Sequence, residues 1–195
     1  MATVTALRER HELVAIELDG GPWRTVPVVA AAEAGLTVGC SLDRERARAL
    51  GRALRRHRAR DAAVRAVARR DHSRATLDAR LERAGVRETE RIETIEAAAR
   101  AGLVDDARFA QARAQQLASR GAGDLLVLDD LQRNGVDDAT ARASLASLEP
   151  ETARSARIVA SRGVSERTLR YLASRGFSEE SLDGLVADLE SRALG

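Results

Sequence analysis

The residues of this chain that could do chemistry are three histidines, one cysteine and several neighbouring carboxylates, and their spacing argues against a reaction centre. His11, His57 and His72 stand apart from one another and from any Cys or Glu at metal-ligand spacing, so no zinc site is expected. His72 lies in Arg69-Arg70-Asp71-His72-Ser73-Arg74 and reads as a turn residue beside basic groups. Cys40 is the sole cysteine, which excludes an internal disulfide. It is expected to be a buried small apolar side chain. Gly121-Ala122-Gly123-Asp124 is glycine-rich but lacks the GK[ST] ending and the preceding strand of a phosphate loop, so a helix-to-helix turn is expected. Asp105-Asp106, Asp129-Asp130 and Asp137-Asp138 are adjacent residues that point in different directions, and helix capping accounts for them better than a glycosidase-like pair. Neither enzymatic activity nor a cofactor is expected.

Binding chemistry is better represented. All 32 basic residues are Arg, and the net charge of +2 conceals an uneven distribution. Residues 1–43 carry −3, residues 75–195 carry −4, and residues 44–74 hold twelve Arg against Glu45, Asp61 and Asp71, a net of +9. Such a block cannot neutralise itself through i,i+4 pairs and attracts phosphates or an acidic protein surface. Arg and Ala are both written by GC-rich codons, so the exclusive choice of Arg over Lys carries little functional weight of its own.

The elements that position this block follow from periodicity. Aromatic residues are only 2% of the chain, so its core must be built from Leu, Val, Ile and Ala, and Ala and Leu favour helix. Val4–Leu7, Leu13–Leu18 and Trp23–Val28, with Asp19-Gly20-Gly21-Pro22 as a turn, predict a hairpin or small meander. A short helix over Val28–Ala34 ends at Gly35, and Trp23 is expected as a core or edge anchor of this part. Ser41 and Asp43 offer N-caps for an Arg-rich helix from about Asp43 to His57. No apolar run is long enough to cross a bilayer, and Met1–Arg10 lacks a signal-peptide pattern, so a cytoplasmic protein without membrane contact is expected.

From Asp61 onward the chain reads as helical and repetitive. Gly85, Gly135 and Gly176 align three stretches. Eighteen residues before them stand Val67, Leu117 and Ile158, and four before stand Leu81, Leu131 and Leu172. One after come Val86, Val136 and Phe177, and ten after come Ile95, Leu145 and Val186. Each glycine is placed as the left-handed residue closing a helix. Ser73, Asp105 or Asp106, and Ser178 are candidate N-caps, and Pro150 suits a first helical turn. The fold class expected is mainly α: three tandem three-helix repeats at 59–104, 105–148 and 149–195, stacked into an elongated, curved array, after a β-hairpin plus helix unit at 1–58. A helix-turn-helix reader of DNA is disfavoured, because the helices after the three glycines open with or carry many acids, such as Glu88, Glu90, Asp137, Asp138, Glu179 and Glu180.

Residues 61–189 resemble the RecX family. Ala66-Val67-Ala68-Arg69-Arg70-Asp71-His72-Ser73-Arg74-Ala75-Thr76-Leu77, continuing to Leu81 and Gly85-Val86, is similar to that family's first repeat. Gly102-Leu103-Val104-Asp105-Asp106-Ala107-Arg108-Phe109-Ala110 resembles its most specific segment, and Tyr171-Leu172-Ala173-Ser174-Arg175-Gly176-Phe177-Ser178 its third-repeat ending. The resemblance implies a monomeric helical regulator, mainly an inhibitor, that lodges in the groove of the RecA filament on single- or double-stranded DNA. It would there restrain filament growth, ATP hydrolysis, strand exchange and repressor cleavage in DNA repair, recombination and the SOS response. Arg69, Arg70 and Arg74 fall on basic positions of the matched first repeat, and the binding face is expected to comprise Arg52, Arg55, Arg56, Arg65, Arg69, Arg70, Arg74 and Arg80. Gly123–Asp130 departs from the family by being acidic where its members are commonly basic. A DNA-binding repeat protein independent of RecA, and a scaffold for an acidic protein partner, are the alternatives.

Overall fold

The alternating Val4, Val14, Ile16 and Val26 point to one face of a sheet, and in the computed structural model, which describes residues 2–193, all four are buried. Strands β1 (Ala2–Arg10), β2 (Leu13–Leu18) and β3 (Gly21–Pro27) form an antiparallel meander. The β2–β3 hairpin turns on Asp19 and Gly20, both at positive φ (49° and 82°), the conformation an Asp-Gly pair supplies at least cost. A fourth strand, β4 (Ser41–Leu42), pairs with Ala2 and Thr3 and gives the order β3-β2-β1-β4. The sheet is therefore one strand larger than the expected meander, because a two-residue strand is too short to show alternation. The helix α1 (Val28–Glu33) lies where it is predicted and ends at Gly35 with φ 65°. Its Ala30 and Ala31 close the core of the sheet together with Leu50 and Ala53. Trp23 is an edge residue and not a core anchor. The β2–β3 register breaks between Ile16 and Glu17, whose partners are Arg24 and Pro22, so Trp23 is the extra residue of a bulge and is 41% exposed. Cys40 is half-buried against the same core, its sulfur accepting the Thr37 N–H at 3.5 Å.

Helix α2 (Arg44–Val67) starts where Asp43 caps it, the carboxylate accepting the Arg46 N–H at 2.7 Å. It does not stop at His57. Residues 58–67 contain neither Gly nor Pro, and Ala59, Ala63 and Ala66 continue a buried stripe at helical spacing. Among the described residues eight further helices follow: α3 (Arg74–Arg83), α4 (Glu88–Arg100), α5 (Asp106–Ser119), α6 (Asp124–Arg133), α7 (Asp138–Ala146), α8 (Glu151–Arg162), α9 (Glu166–Ser174) and α10 (Glu179–Ala193).

Two of the four aligned columns have a common physical cause. Gly85, Gly135 and Gly176 adopt φ of 76°, 72° and 77°. The N–H groups of Val86, Val136 and Phe177 donate to the carbonyls of Leu81, Leu131 and Leu172 at 3.1, 3.0 and 3.2 Å. The glycine N–H groups donate to Glu82, Gln132 and Ala173. This is the Schellman closure, and the columns four before and one after each glycine are the residues joined by its longer bond. Ser73, Asp105 and Ser178 cap α3, α5 and α10 through Thr76, Ala107 and Ser181 N–H groups. Pro150 sits one place earlier than a first-turn residue, at the N-cap of α8.

The described chain divides into two compact units. One comprises residues up to Arg70 with Leu77–Ala101, the other Asp71–Thr76 with the residues from Gly102 onward. Within the second, Ala110, Ala114, Val127, Leu131 and Ala141 form one apolar cluster, and Leu172, Phe177 and Leu182 another.

Candidate functional site

The arginine block becomes a surface through the face of α2 that its members share. Arg55, Arg58, Ala62 and Arg65 recur at spacings of three and four along one stripe of α2, Arg69 follows in the turn just beyond the helix end, and α3 and the α3–α4 turn supply the opposite wall. Two concavities result, sharing Ala62, Arg65 and Ala84. The larger, about 420 Å³, is lined by Arg55, Arg58, Arg65, Arg87 and Glu90 over a floor that includes Gly85 and Val86. The smaller, about 150 Å³, adds Arg69, Arg80, Ala66 and Leu81. Together they make a groove with six arginines and one carboxylate.

That carboxylate is already engaged. Arg55 Nε donates to Glu90 Oε1 at 2.7 Å and Thr89 Oγ1 to Oε2 at 2.9 Å. The guanidinium of Arg55 holds the Glu90 carboxyl below its ordinary pKa, against the opposing effect of burial. Arg65 has only a loose 3.8 Å contact with Asp61, which also faces His57 at 3.5 Å. Among the described residues, Arg58, Arg69, Arg80 and Arg87 make no ion pair within the chain.

The eight arginines of the expected face divide accordingly. Arg55, Arg65, Arg69 and Arg80 line the groove. Arg56 does not; it and Arg60 clasp Glu33 of α1 at 2.7 and 3.1 Å, and Arg56 is the main cause of that carboxyl's lowered pKa. Arg52 and Arg70 are exposed and line neither concavity. Arg74 lies in the second unit, where its backbone N–H donates to Asp106 Oδ1 at 2.7 Å. Two groove residues are new. Arg58 was legible, standing three after Arg55 and seven before Arg65. Arg87 was not, because only the turn at Gly85 brings it to the groove.

In the second unit the acids of Gly123–Asp130 are spent on internal partners. Arg113 grips Asp130 with two bonds of 2.7 and 2.8 Å and lowers its pKa, and Arg133 pairs with Asp129 at 2.7 Å. Asp124 meets the buried Arg154, yet burial comes first among the effects on its pKa and raises it, with the nearby Glu151 charge adding. Glu151 accepts the Asp124 N–H at 2.6 Å and the Ser178 N–H at 3.2 Å. It does for the first residue of α6 what Asp106 does for the first residue of α3. Acidity here is used for pairing within the chain.

No family model matches the chain. The regulatory protein RecX of Chromohalobacter salexigens is 38% identical to it over 97 residues, 50% of this chain and 64% of that one. The regulatory protein RecX of Halorhodospira halophila is 35% identical over 103 residues, 53% of this chain and 64% of that one. The chain thus spans slightly less than two thirds of these relatives. A crystal structure of regulatory protein RecX superposes with a TM-score of 0.81 at 15% identity, covering 96% of this chain and all of that one. The RecX structure from Lactobacillus salivarius gives 0.60 at 15% identity, over 70% and 97% of the two chains. In sequence over half of its length, and in fold over nearly all of it, the chain is RecX-like, as the segments quoted from residues 61–189 imply.

Proposed function

We propose that this chain is a cytoplasmic regulator of the RecA recombinase, mainly an inhibitor, that binds the groove of the RecA–DNA filament without catalysing a reaction. The observation that carries this reading is its 35–38% identity to two proteins named regulatory protein RecX. The arginine surface supports it, since a filament built on DNA presents phosphates to any protein lodged against it. In this reading the contact face is Arg52, Arg55, Arg56, Arg65, Arg69, Arg70, Arg74 and Arg80, extended by Arg58 and Arg87. The chain acts as a monomer of three tandem repeats at 59–104, 105–148 and 149–195 behind the β-containing part at 1–58. Restraint of filament growth, ATP hydrolysis, strand exchange and repressor cleavage would place it in DNA repair, recombination and the SOS response. The test adds purified protein to RecA filaments on single-stranded DNA and follows ATPase and strand exchange. Inhibition at stoichiometric amounts is expected; no effect on either would sink the reading.

One observation favours a second reading, direct DNA binding without RecA: four groove arginines have no carboxylate partner among the described residues. It predicts binding to naked duplex with a log–log salt slope of about −0.9 per phosphate neutralised. A flat salt response rules it out.

A further inference from the structure

We infer that the arginine groove of the first unit is a binding site for a small oligophosphate, a linear anion of several linked phosphate groups, taken either free or as part of a nucleoside triphosphate. The inference does not depend on the RecA reading, since it concerns a small ligand and a separate measurement.

Three features point to it. The first is uncompensated charge. Six arginines line two concavities that share Ala62, Arg65 and Ala84, and the one carboxylate there, Glu90, is held by Arg55 at 2.7 Å. Arg55 and Arg58 are like-charged neighbours one helical turn apart on α2, and Arg65 and Arg69 line one concavity, an unfavourable arrangement until an anion sits between them. Guanidinium forks match phosphate oxygens in pairs, so several on one wall suit several linked phosphates.

The second is size. A cleft of about 420 Å³ lies within the range of small-ligand sites, and the adjoining 150 Å³ lengthens it along α2. From Arg55 to Arg65 the helix advances roughly 15 Å at 1.5 Å per residue, so the arginines address an elongated ligand.

The third is the character of the walls. Between the arginines they offer Ala62, Ala66, Leu81, Ala84 and Val86, and no aromatic ring. A single strand of nucleic acid would find no ring on which to stack its bases. The groove recognises phosphate groups and little else.

The experiment is calorimetric titration of the full chain with inorganic tripolyphosphate at low ionic strength, beside a nucleoside triphosphate and a single-stranded oligonucleotide with the same number of phosphates. Saturable binding of tripolyphosphate is expected. R58A/R87A and R65A should each weaken it at least about tenfold, because each removes charge-assisted bonds. E90Q should tighten it, since Arg55 is then released to the ligand. These arginines are surface residues, and circular dichroism melts verify that the variants fold. R133A/R170A, which removes the same net charge outside the groove, should bind like the parent chain. A nucleoside triphosphate no tighter than tripolyphosphate identifies the free phosphate chain as sufficient; tighter binding identifies the nucleotide as the ligand. The inference is overturned by absence of saturable tripolyphosphate binding, by an equal loss in R133A/R170A, or by far tighter oligonucleotide binding that the groove variants abolish. The last outcome would make the groove a nucleic-acid channel.

Discussion

At Gly123 the backbone of one turn lies directly on the backbone of another. Its N–H donates to the Arg175 carbonyl at 2.8 Å, and a Cβ there would stand 2.3 Å from Gly176 C and O and from Phe177 N. None of those atoms can swing aside. Gly123→Ala should therefore cost about 3 kcal/mol in urea denaturation, the upper end for overpacking. Gly51 is the contrast. It sits inside α2, and a methyl group added there would have only the flexible Arg55 guanidinium within 4 Å, at 3.7 Å. Gly51→Ala should gain about 0.5–1 kcal/mol by removing backbone freedom from the unfolded chain. Glu151 is a third position where one side chain joins separate elements. Glu151→Ala strips a carboxylate from the N–H groups of Asp124 and Ser178 and should cost about 2 kcal/mol in the same assay.

Between elements, the Arg113–Asp130 clasp joins α5 to α6 and responds to pH. The Asp130 pKa is lowered chiefly by the Arg113 hydrogen bonds, so the protonated unfolded chain is favoured only in acid. Its stabilisation is fully present above the unfolded carboxyl value of about 3.9 and disappears as pH falls through the lower folded value. With a guanidinium one third exposed, solvent screening limits the pair to about 1 kcal/mol. Arg113→Ala should thus melt earlier than the parent chain at pH 7, with the gap closing as pH falls below about 4. A constant gap across that range would show that the side chain contributes packing and not charge. Asp124 runs the other way. Its raised pKa favours the folded state at acid pH and offsets part of the general acid lability.

Helix existence and closure were legible in particular residues. The left-handed glycines 85, 135 and 176 and the leucines four before them announce Schellman turns, because that closure needs a glycine at C′ and an apolar pair across it. Asp43, Ser73 and Asp105 announce helix starts for the same local reason. Where no breaker exists, the end of a helix is not locally marked: residues 58–67 hold neither Gly nor Pro to stop the helix begun at Asp43, and the single long α2 follows from its buried alanines. The strand β4 left no signal at all, since two residues cannot alternate.

Across the whole molecule, charge is sorted by use. Acids of the second unit are committed to arginines and to helix N-termini, while the first unit leaves four groove arginines without a carboxylate among the described residues. If the groove meets the RecA–DNA filament, R58A/R87A should lose most of the inhibition of RecA ATPase while R133A/R170A retains it. Raising the salt concentration should erase the difference between them, because exposed charges are screened within about 8 Å at physiological ionic strength.

By itself the sequence determined the helical class, the three glycine-closed turns, the β-containing start, the location of the basic block and the resemblance to RecX. All of these rest on contacts between residues close along the chain, or on motifs read in order. Only the tertiary structure decided which arginines of the block share a groove and which are spent elsewhere. Arg56 is drawn away by Glu33, 23 residues earlier, and Arg55 takes up Glu90, 35 residues later, while Arg87 arrives by way of a turn. Pairings over such separations are set by how helices pack, and packing is a property of all the buried side chains together.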